Sequence, residues 1–308
     1  MTKSYRIASI PGDGIGPEVV SATIQVQHGK YVSEDALDHL RQFDAGLFGA
    51  VGDPDVPDHI SLWGLLLAIR GPLQLYANVR PSAKTPKANT RVKGAGHIGQ
   101  QWEAATEVAM FTRVGIERIM RFAFETAQAR PRKHLTVVTK SNSMRNGMVL
   151  WDEIAALVAK DFPDVTWDKM LVDAMTVRMV WKPQSLDTIV GTNLHMDILS
   201  DLAAGLAGSI GVAPSSNLDP TRKNPSLFEP VHGSAFDITG KGVANPVATF
   251  WSAAEMLTWV GEKDASDKLM RAVENVCAAG VLTPDLGGSA NTQEVVDAVC
   301  AEIERLYK

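Results

Sequence analysis

Cysteine is scarce in this sequence of 308 residues, which contains only Cys277 and Cys300. The two lie far apart and form no CxxC pair, so neither a disulfide framework nor a zinc site of the usual spacing is indicated. We expect both to be small buried side chains of C-terminal helices. At the N-terminus a short apolar run stops at Pro11, which predicts a first strand and turn and not a signal peptide.

Long apolar runs and a strong excess of one charge are also missing. The longest apolar stretch, around Leu62 to Ile69, is far shorter than the roughly 18 residues that a membrane span needs. The net charge of −5 argues against a general nucleic-acid binder, and the 45% of hydrophobic residues argues against disorder. We therefore expect a cytoplasmic globular protein that binds neither membranes nor nucleic acid, with one large domain or two modest ones.

Strand-like and helix-like segments alternate along much of the chain, which favours an α/β fold. Residues 208–246 are rich in glycine, proline and asparagine and show little periodicity, so they predict a long functional loop. Near the C-terminus, Asn291 with Glu294 three residues later predicts a capped helix. Val295 and Val299 begin the apolar stripe of that helix.

Three glycines, Gly12, Gly14 and Gly16, follow the first predicted strand. Their spacing is not the G-x-G-x-x-G of dinucleotide-binding folds. It indicates only a tight turn at which the backbone comes close to something else.

Two aspartates, Asp197 and Asp201, are four residues apart and would lie one above the other on a helix face. Carboxylates presented in this way suit a hard divalent cation, although a solvated helix face is the simpler interpretation. The apolar neighbours of the pair favour the metal site. A third acid, Asp173, follows a strand-like segment, and α/β sheets bind their ligands at strand ends.

Arg70, Arg80 and Lys140 are basic residues in or beside apolar segments. The planar fork of an arginine matches a carboxylate, so Arg70 and Arg80 could bind an anionic ligand or form internal salt bridges. Lys140 ends a predicted strand and, if it is partly buried, could act as a base; an exposed lysine is the alternative.

The segment from Glu229 to Asp237, together with Asn245, brings small residues and free amides into the predicted loop. Such residues suit the close approach of a phosphate or an adenosine. A nearby acid could hold a ribose 2′-hydroxyl, which would favour NAD over NADP.

Together these motifs resemble the β-decarboxylating dehydrogenases, the family of isopropylmalate, isocitrate, D-malate and tartrate dehydrogenases. The resemblance covers most of the chain in the family's order and rests on the segments IPGDGIGPEVV, DHISLWGLLLAIR, YANVRP, TKSN, VDAM, NLHMDILSD, FEPVHGSAFDITGKGVANP and TPDLGGSANT. It implies an isopropylmalate/isocitrate dehydrogenase-like α/β fold of two domains with a large mixed sheet. The large NAD-side domain would comprise residues 1–80 and 208–308. The small domain, with the dimer interface and the metal ligands, would comprise residues 81–207.

The resemblance also implies roles for the substrate and catalytic residues. Arg70 and Arg80 would bind the substrate carboxylates, with Trp63 and Leu66 of the SLWGLLL segment beside them. Lys140 and Asp173 would be the catalytic residues, and Lys140 from the other subunit would assist deprotonation of the substrate hydroxyl.

The metal and cofactor ligands follow from the same resemblance. Mg²⁺ or Mn²⁺ would be held by Asp197 and Asp201 together with Asp173 from the other subunit, and K⁺ is suggested as a further cofactor. The NAD site would be lined by His232, Gly233, Ser234, Ala235, Asp237 and Asn245, with Asp237 selecting against NADP.

The SLWGLLL segment and the later GSAFDITGKG look like those of the tartrate dehydrogenase/decarboxylase and D-malate dehydrogenase branch. The resemblance therefore implies an NAD- and divalent-metal-dependent dehydrogenase that oxidises and decarboxylates D-malate or tartrate. Its partners would be a small 2-hydroxy-dicarboxylic acid and a second copy of the chain, in a homodimer with shared active sites. The alternatives are an enzyme that acts on 3-isopropylmalate and a non-catalytic relative that binds NAD and metal.

One departure from the family concerns the proton donor. The family has a third arginine and a proton-donating tyrosine, but this chain passes almost directly from residues 92–99 to residues 107–113. Aligning Arg91 with the missing arginine would place Ile98 where the tyrosine belongs.

A second gap lies between Val20 and Val32, where the family has a longer helix and another strand. Either segments are missing from this sequence, or the protein is truly shortened. We favour the first explanation, because losing two strands outright would expose the core and an edge of the sheet.

Overall fold

The computed structural model describes residues 4–20, 36–52, 65–80 and 109–307. Trp63 and both departures from the family pattern lie outside the described residues. The chain divides into two compact units, one comprising Met1–Ala83 and Ala207–Lys308 and the other Lys84–Leu206. The roles assigned to the two domains stay predictions.

The first unit is built on a mixed sheet of five strands. In the order in which they pair, the strands are β1 (Ile7–Gly12), β2 (Ala45–Ala50), β8 (Ser226–Pro230), β7 (Pro214–Leu218) and β3 (Ala77–Val79). β1, β2 and β8 run parallel, whereas β7 is antiparallel to both of its neighbours. The mixed sheet confirms the predicted α/β fold.

The helices of the first unit contribute to two of its apolar clusters. The described helices are α1 (Gly16–Val20), α2 (Ala36–Leu40), α3 (Leu67–Arg70), α8 (Val247–Trp259), α9 (Lys263–Ala278) and α10 (Thr292–Leu306). The cluster beside α3 includes the buried side chains of Phe48, Ile69 and Leu227. In α10, Val295 and Val299 are buried against α9, which confirms the predicted apolar stripe.

The prediction of one long loop over residues 208–246 is wrong, because β7 and β8 lie within it. Their sequences, PSSNL and SLFEP, show no alternation of polar and apolar residues, and every one of their ten residues is buried. Strands covered on both faces lack the period of two that reveals a strand with one solvated face.

The second unit contains a parallel sheet of three strands, in the order β5 (Thr166–Leu171), β4 (His134–Thr139) and β6 (Thr188–Val190). Its described helices are α4 (Arg113–Gln128), α5 (Gly147–Val158), α6 (Val172–Trp181) and α7 (Asn193–Ala207). The side chain of Thr112 caps α4 by accepting a hydrogen bond from the backbone of Gly115. Met120 and Phe124, one turn apart on α4, are fully buried in the core of this unit.

The cysteines depart in part from the expectation that both are buried. Cys277 is partly buried, but Cys300 is exposed because it lies on α10 next to the buried Val299 and points away from the stripe. Both are free thiols. None of the helices in the described ranges combines the length and the apolar character that a bilayer crossing requires.

Candidate active site

Arg70, at the end of α3, forms an ion pair with the carboxylate of Glu229 on β8. The Arg70 side chain is 20% exposed and that of Glu229 8% exposed. The internal salt bridge that the sequence left open is therefore present. Within the described residues the Nε–H of Arg70 is buried and has no hydrogen-bond partner, so the guanidinium keeps a donor for a second anion.

Arg80 and Leu66, which were also predicted to contact the substrate, have other partners than Arg70 has. Arg80 follows β3, and its Nε donates a hydrogen bond of 3.0 Å to the side-chain oxygen of Asn78. Leu66 is only 7% exposed and packs in the cluster that contains Phe48 and Ile69. A contact between Leu66 and substrate stays a prediction, as does that of Trp63.

Lys140 and Asp173 meet at the carboxyl end of the three-stranded sheet. Lys140 directly follows β4, and Asp173 lies in the first turn of α6, directly after β5. Because β4 and β5 are parallel neighbours, the two side chains emerge at the same edge, and Lys140 Nζ lies 2.5 Å from Asp173 Oδ1. This hydrogen bond lowers the pKa of the Asp173 carboxyl, which favours the charged form that a metal ligand needs.

Asp197 and Asp201 lie on α7 as predicted, four residues apart and both exposed. Across the described ranges of one chain, however, no three His, Cys, Asp or Glu side chains come close enough together to hold a metal ion. The expectation that Asp173 joins the pair from another subunit stays a prediction.

His195, also on α7, lies near Lys140 and was not among the predicted site residues. It is 8% exposed, and its Nδ1 is buried without a partner in the described part of the chain. Burial lowers the pKa of the imidazole, and the nearby positive charge of Lys140 lowers it further. The available signal was a histidine two positions before Asp197, on a helix in which Leu199 and Leu202 are apolar.

The N-terminal glycine turn packs against the predicted nucleotide segment. The backbone N–H of Ile15 donates to the carbonyl oxygen of Ser234 at 2.8 Å. A Cβ on Gly14 would lie 1.9 Å from that same oxygen. The close approach that the glycine spacing indicated is confirmed, and the neighbouring backbone is that of Ser234.

Around this contact the predicted nucleotide segment has exposed residues and buried polar atoms without a partner in the described ranges. His232 is 7% exposed, its Nδ1 lies 3.1 Å from the carbonyl oxygen of Gly233, and burial lowers its pKa. Its Nε2 is buried and without a partner among the residues that the structure describes. Gly233 and Asp237 are exposed, and Ala235 has a φ of +44°, which is rare for a residue other than glycine.

Asn245 is held by the fold at both ends of its side-chain amide. Its oxygen accepts a hydrogen bond of 3.0 Å from the backbone of Val247 at the start of α8, and its nitrogen donates one of 2.9 Å to Asp285. Asp285 also accepts hydrogen bonds from Ser209 and Thr283, and these bonds lower its pKa. Asp285 was not predicted, although it lies in the TPDLGG segment; it orients Asn245.

Comparison with known proteins agrees with this arrangement of motifs. The family described as isocitrate/isopropylmalate dehydrogenase matches residues 87–299. A "Probable tartrate dehydrogenase/decarboxylase" of Agrobacterium vitis is 57% identical over 351 positions that cover 98% of this chain and 98% of the relative. The "D-malate dehydrogenase [decarboxylating]" of Escherichia coli K12 is 42% identical, over 99% of this chain and 100% of that protein.

The alignment with the Agrobacterium protein is longer than this chain, so the relative carries internal segments without a counterpart here. Among solved structures, the isocitrate dehydrogenase from Methylococcus capsulatus superposes with a TM-score of 0.83 at 33% identity. That superposition covers 97% of this chain and 99% of the other. This chain belongs to the isocitrate/isopropylmalate dehydrogenase family.

Proposed function

We propose that this protein is an NAD- and divalent-metal-dependent dehydrogenase that oxidises and decarboxylates tartrate or D-malate. The observation that carries the proposal is the 57% identity with the "Probable tartrate dehydrogenase/decarboxylase" of Agrobacterium vitis along 98% of both chains. Two relatives with different substrate names, tartrate and D-malate, match nearly the whole chain. Both substrates are small 2-hydroxy-dicarboxylic acids, so the site should bind two carboxylates.

Arg70 and Arg80 would bind those carboxylates. Arg70 retains a buried Nε–H without a partner in the described ranges, and such a donor is costly unless an anion accepts from it. Arg80 directly follows β3, a strand of the same sheet as Glu229, the partner of Arg70. One carboxylate at each guanidinium would orient the acid across the face of β8, β7 and β3.

The acidic residues of the second unit have the type of ligand atom that a divalent cation prefers. Asp173, Asp197 and Asp201 offer carboxylate oxygens, the ligands that Mg²⁺ and Mn²⁺ prefer. When bound there, the cation would supply Lewis acidity toward the substrate hydroxyl. Lys140, held against Asp173, would assist deprotonation of that hydroxyl through its positive charge.

The nucleotide segment would bind NAD, which would accept the hydride. The exposed carboxylate of Asp237 suits the ribose hydroxyls and would repel a 2′-phosphate. His232 presents a buried, unpaired Nε2 within the part of the chain that is described, and Gly233 leaves open space for a close approach. K⁺ and a cytoplasmic location stay predictions.

A homodimer would complete the site. Helices α6 and α7 carry Asp173, Asp197 and Asp201, and they also expose large apolar side chains: Val177 (49%), Trp181 (76%), Leu194 (69%) and Ile198 (55%). A second copy covering these side chains would bury apolar surface and bring the partner's acids to the site.

The main competing function is binding without decarboxylation. The chain has four tyrosines, and none lies between Tyr76 and Tyr307 to provide the family's proton donor. If another group or water protonates the enolate that remains after CO₂ leaves, the reaction releases CO₂ and NADH in equal amounts. If no group does, NAD and metal bind without CO₂ release.

The decisive experiment measures NADH and CO₂ together, with D-malate, tartrate and 3-isopropylmalate as substrates and Mn²⁺ or Mg²⁺ present. We expect turnover of D-malate or tartrate and little with 3-isopropylmalate. Preference for 3-isopropylmalate would replace the substrate assignment, and binding without CO₂ would replace the enzyme.

Asp197→Asn tests the metal assignment. It should lower metal-dependent turnover at least about a hundredfold, while NAD binding stays measurable, because a neutral amide holds a divalent cation more weakly than a carboxylate does. Glu153→Gln, which removes one charge at an exposed position of α5, should leave activity unchanged. Retained activity in Asp197→Asn with an unchanged metal requirement would contradict the assignment.

A further inference from the structure

A row of polar side chains crosses one face of the strands β3, β7 and β8. Asn78 lies directly opposite Asn217 in the antiparallel pair β3–β7, and Ser215 lies opposite Glu229 in the pair β7–β8. Residues two apart on a strand share a face, so these four side chains lie side by side. Asn217, Ser215 and Glu229 are all buried.

The row forms a continuous chain of hydrogen bonds between the two arginines. Asn217 donates from its amide nitrogen to Glu229 Oε1 at 2.8 Å, the oxygen that also accepts from Arg70. Asn78 donates to the side-chain oxygen of Asn217 at 2.7 Å, and Arg80 donates to the side-chain oxygen of Asn78 at 3.0 Å. Asn78 makes a further hydrogen bond of 3.0 Å to the hydroxyl of Ser215.

Fold stability alone does not account for this row. Asparagine is disfavoured in strands, and buried polar side chains stabilise a sheet no better than the apolar residues they replace. The opposite face of the same strand shows the contrast: Ser216 is 2% exposed, and its hydroxyl has no partner within the described residues. The connected polar network lies on the face at which Arg70 and Arg80 make their hydrogen bonds.

We propose that Asn217 is a positioning residue that holds the guanidinium groups of Arg70 and Arg80 at a fixed separation. The inference rests on the proposed function, in which these arginines bind the two carboxylates of the substrate. Asn217 is the central link. Its amide nitrogen donates to Glu229, the partner of Arg70, and its amide oxygen accepts from Asn78, the partner of Arg80. Fully bonded networks of this kind are rigid, and a fixed spacing selects dicarboxylic acids over monocarboxylic acids.

Glu229 has a second effect on the pair. Its carboxylate keeps Arg70 in place when no substrate is bound, and it neutralises one positive charge next to the carboxylate site. Loss of Asn217 would leave Glu229 on Arg70 but would disconnect Arg80 from it. The two arginines would then still attract anions, but the distance between their guanidinium groups would no longer match the distance between the two carboxylates of the substrate.

The test compares Asn217→Ala with the matched variant Ser216→Ala, an adjacent buried position on the other face of β7. We expect Asn217→Ala to raise KM for D-malate or tartrate about tenfold, while KM for NAD stays unchanged. The preference for the dicarboxylic acid over a 2-hydroxy monocarboxylic acid of similar length should fall in parallel. Ser216→Ala should change none of these values.

Asn78→Ala is the second variant, since Asn78 is exposed and its substitution should not prevent folding. It removes only the link to Arg80 and should raise KM for the dicarboxylic acid, by less than Asn217→Ala does. If Asn217→Ala does not fold, Asn78→Ala carries the test. Equal substrate KM values in wild type and in the variant that folds would overturn the proposal, as would an equal rise in KM for NAD.

A measurement without turnover separates this inference from the proposed function. The Nε–H signals of Arg70 and Arg80, observed by NMR with ¹⁵N-labelled arginine, should both shift in Asn217→Ala and should both stay in place in Ser216→Ala. If the wild type turns over neither acid, the proposed function fails while the paired shift still supports the positioning role. A shift of one arginine alone, or of neither, overturns the positioning role whatever the activity.

Discussion

Gly14 shows how a single residue is constrained by a neighbouring backbone. Its φ is +58°, a conformation that side chains disfavour, and a Cβ would lie 1.9 Å from the carbonyl oxygen of Ser234. Gly280 has a similar φ of +84°, but a Cβ added there would meet no atom within 4 Å from the described residues beyond its own chain neighbours. Substituting each of the two glycines therefore distinguishes the energetic cost of the backbone conformation from that of a steric clash.

We expect Gly14→Ala to lower the free energy of unfolding by about 3 kcal/mol, because the strained conformation and the clash add. Gly280→Ala should lower it by about 1 kcal/mol, through backbone conformation alone. Urea unfolding of both variants measures the difference. Equal losses would show that the turn moves away from Ser234 at little cost.

The buried His232 should make the free energy of unfolding depend on pH. Burial lowers its pKa in the folded protein, so between that value and about 6.5, the unfolded value, the unfolded chain binds more protons. The stabilising contribution is therefore complete above about pH 6.5 and is lost as the pH falls through the folded pKa.

His232→Asn should reduce the dependence of the free energy of unfolding on pH, measured by urea titration between about pH 7.5 and 5. Part of the dependence should remain, since burial shifts the pKa of His195 in the same direction. A variant with the same slope as the wild type would show that His232 does not contribute to it.

At the scale of elements, the N-terminus of α10 behaves as its sequence predicts. Asn291 accepts a hydrogen bond of 2.9 Å from the backbone of Glu294, and the Glu294 side chain accepts one of 2.8 Å from the backbone of Asn291. This capping box is confirmed because it depends on four consecutive residues and on no distant contact.

Asn291→Ala should lower the free energy of unfolding by about 1 kcal/mol, because it leaves a backbone N–H of the first turn without its acceptor. Asn291→Asp, which keeps an acceptor at the same place, should cost much less. Urea unfolding of the two variants provides the comparison; a loss shared equally by both would mean that the amide nitrogen, and not the cap, stabilises the helix.

The strands β7 and β8 are the elements that local reasoning could not find. Their composition is that of a loop, and their burial comes from β2, β3 and α8, which are distant in sequence. The same distance explains why Asn217 and Asn78 were not predicted as site residues. Their 139-residue separation is bridged only when β3 pairs with β7.

At the scale of the whole molecule, the question is whether the three predicted metal ligands come from one chain or from two. Lys140 and Asp173 are in contact within one chain, whereas no group of three potential ligands forms in the described ranges of that chain. A site that combines Lys140 and Asp173 of one chain with Asp197 and Asp201 of its partner would resolve this.

Mixed dimers test that arrangement. A Lys140→Met chain and an Asp197→Asn chain should each be inactive alone. When refolded together in equal amounts they should regain about a quarter of wild-type activity, because half of the dimers would be mixed and each would contain one intact site of two. Sites formed within single chains would carry one defect each, and no activity would return.

The motifs of this protein, and with them its family, can be read from the chain alone, since the glycine turn, the acid pair on α7 and the nucleotide segment are short and local. The capped helix α10 and the strands with apolar character followed from the same local rules. The three-dimensional fold was needed to show which groups pair: Arg70 with Glu229, Lys140 with Asp173, Asn245 with Asp285, and Asn217 with Asn78. The physical reason is that a hydrogen bond or ion pair depends on distances of about 3 Å between atoms, and strand register sets those distances for residues far apart in the chain.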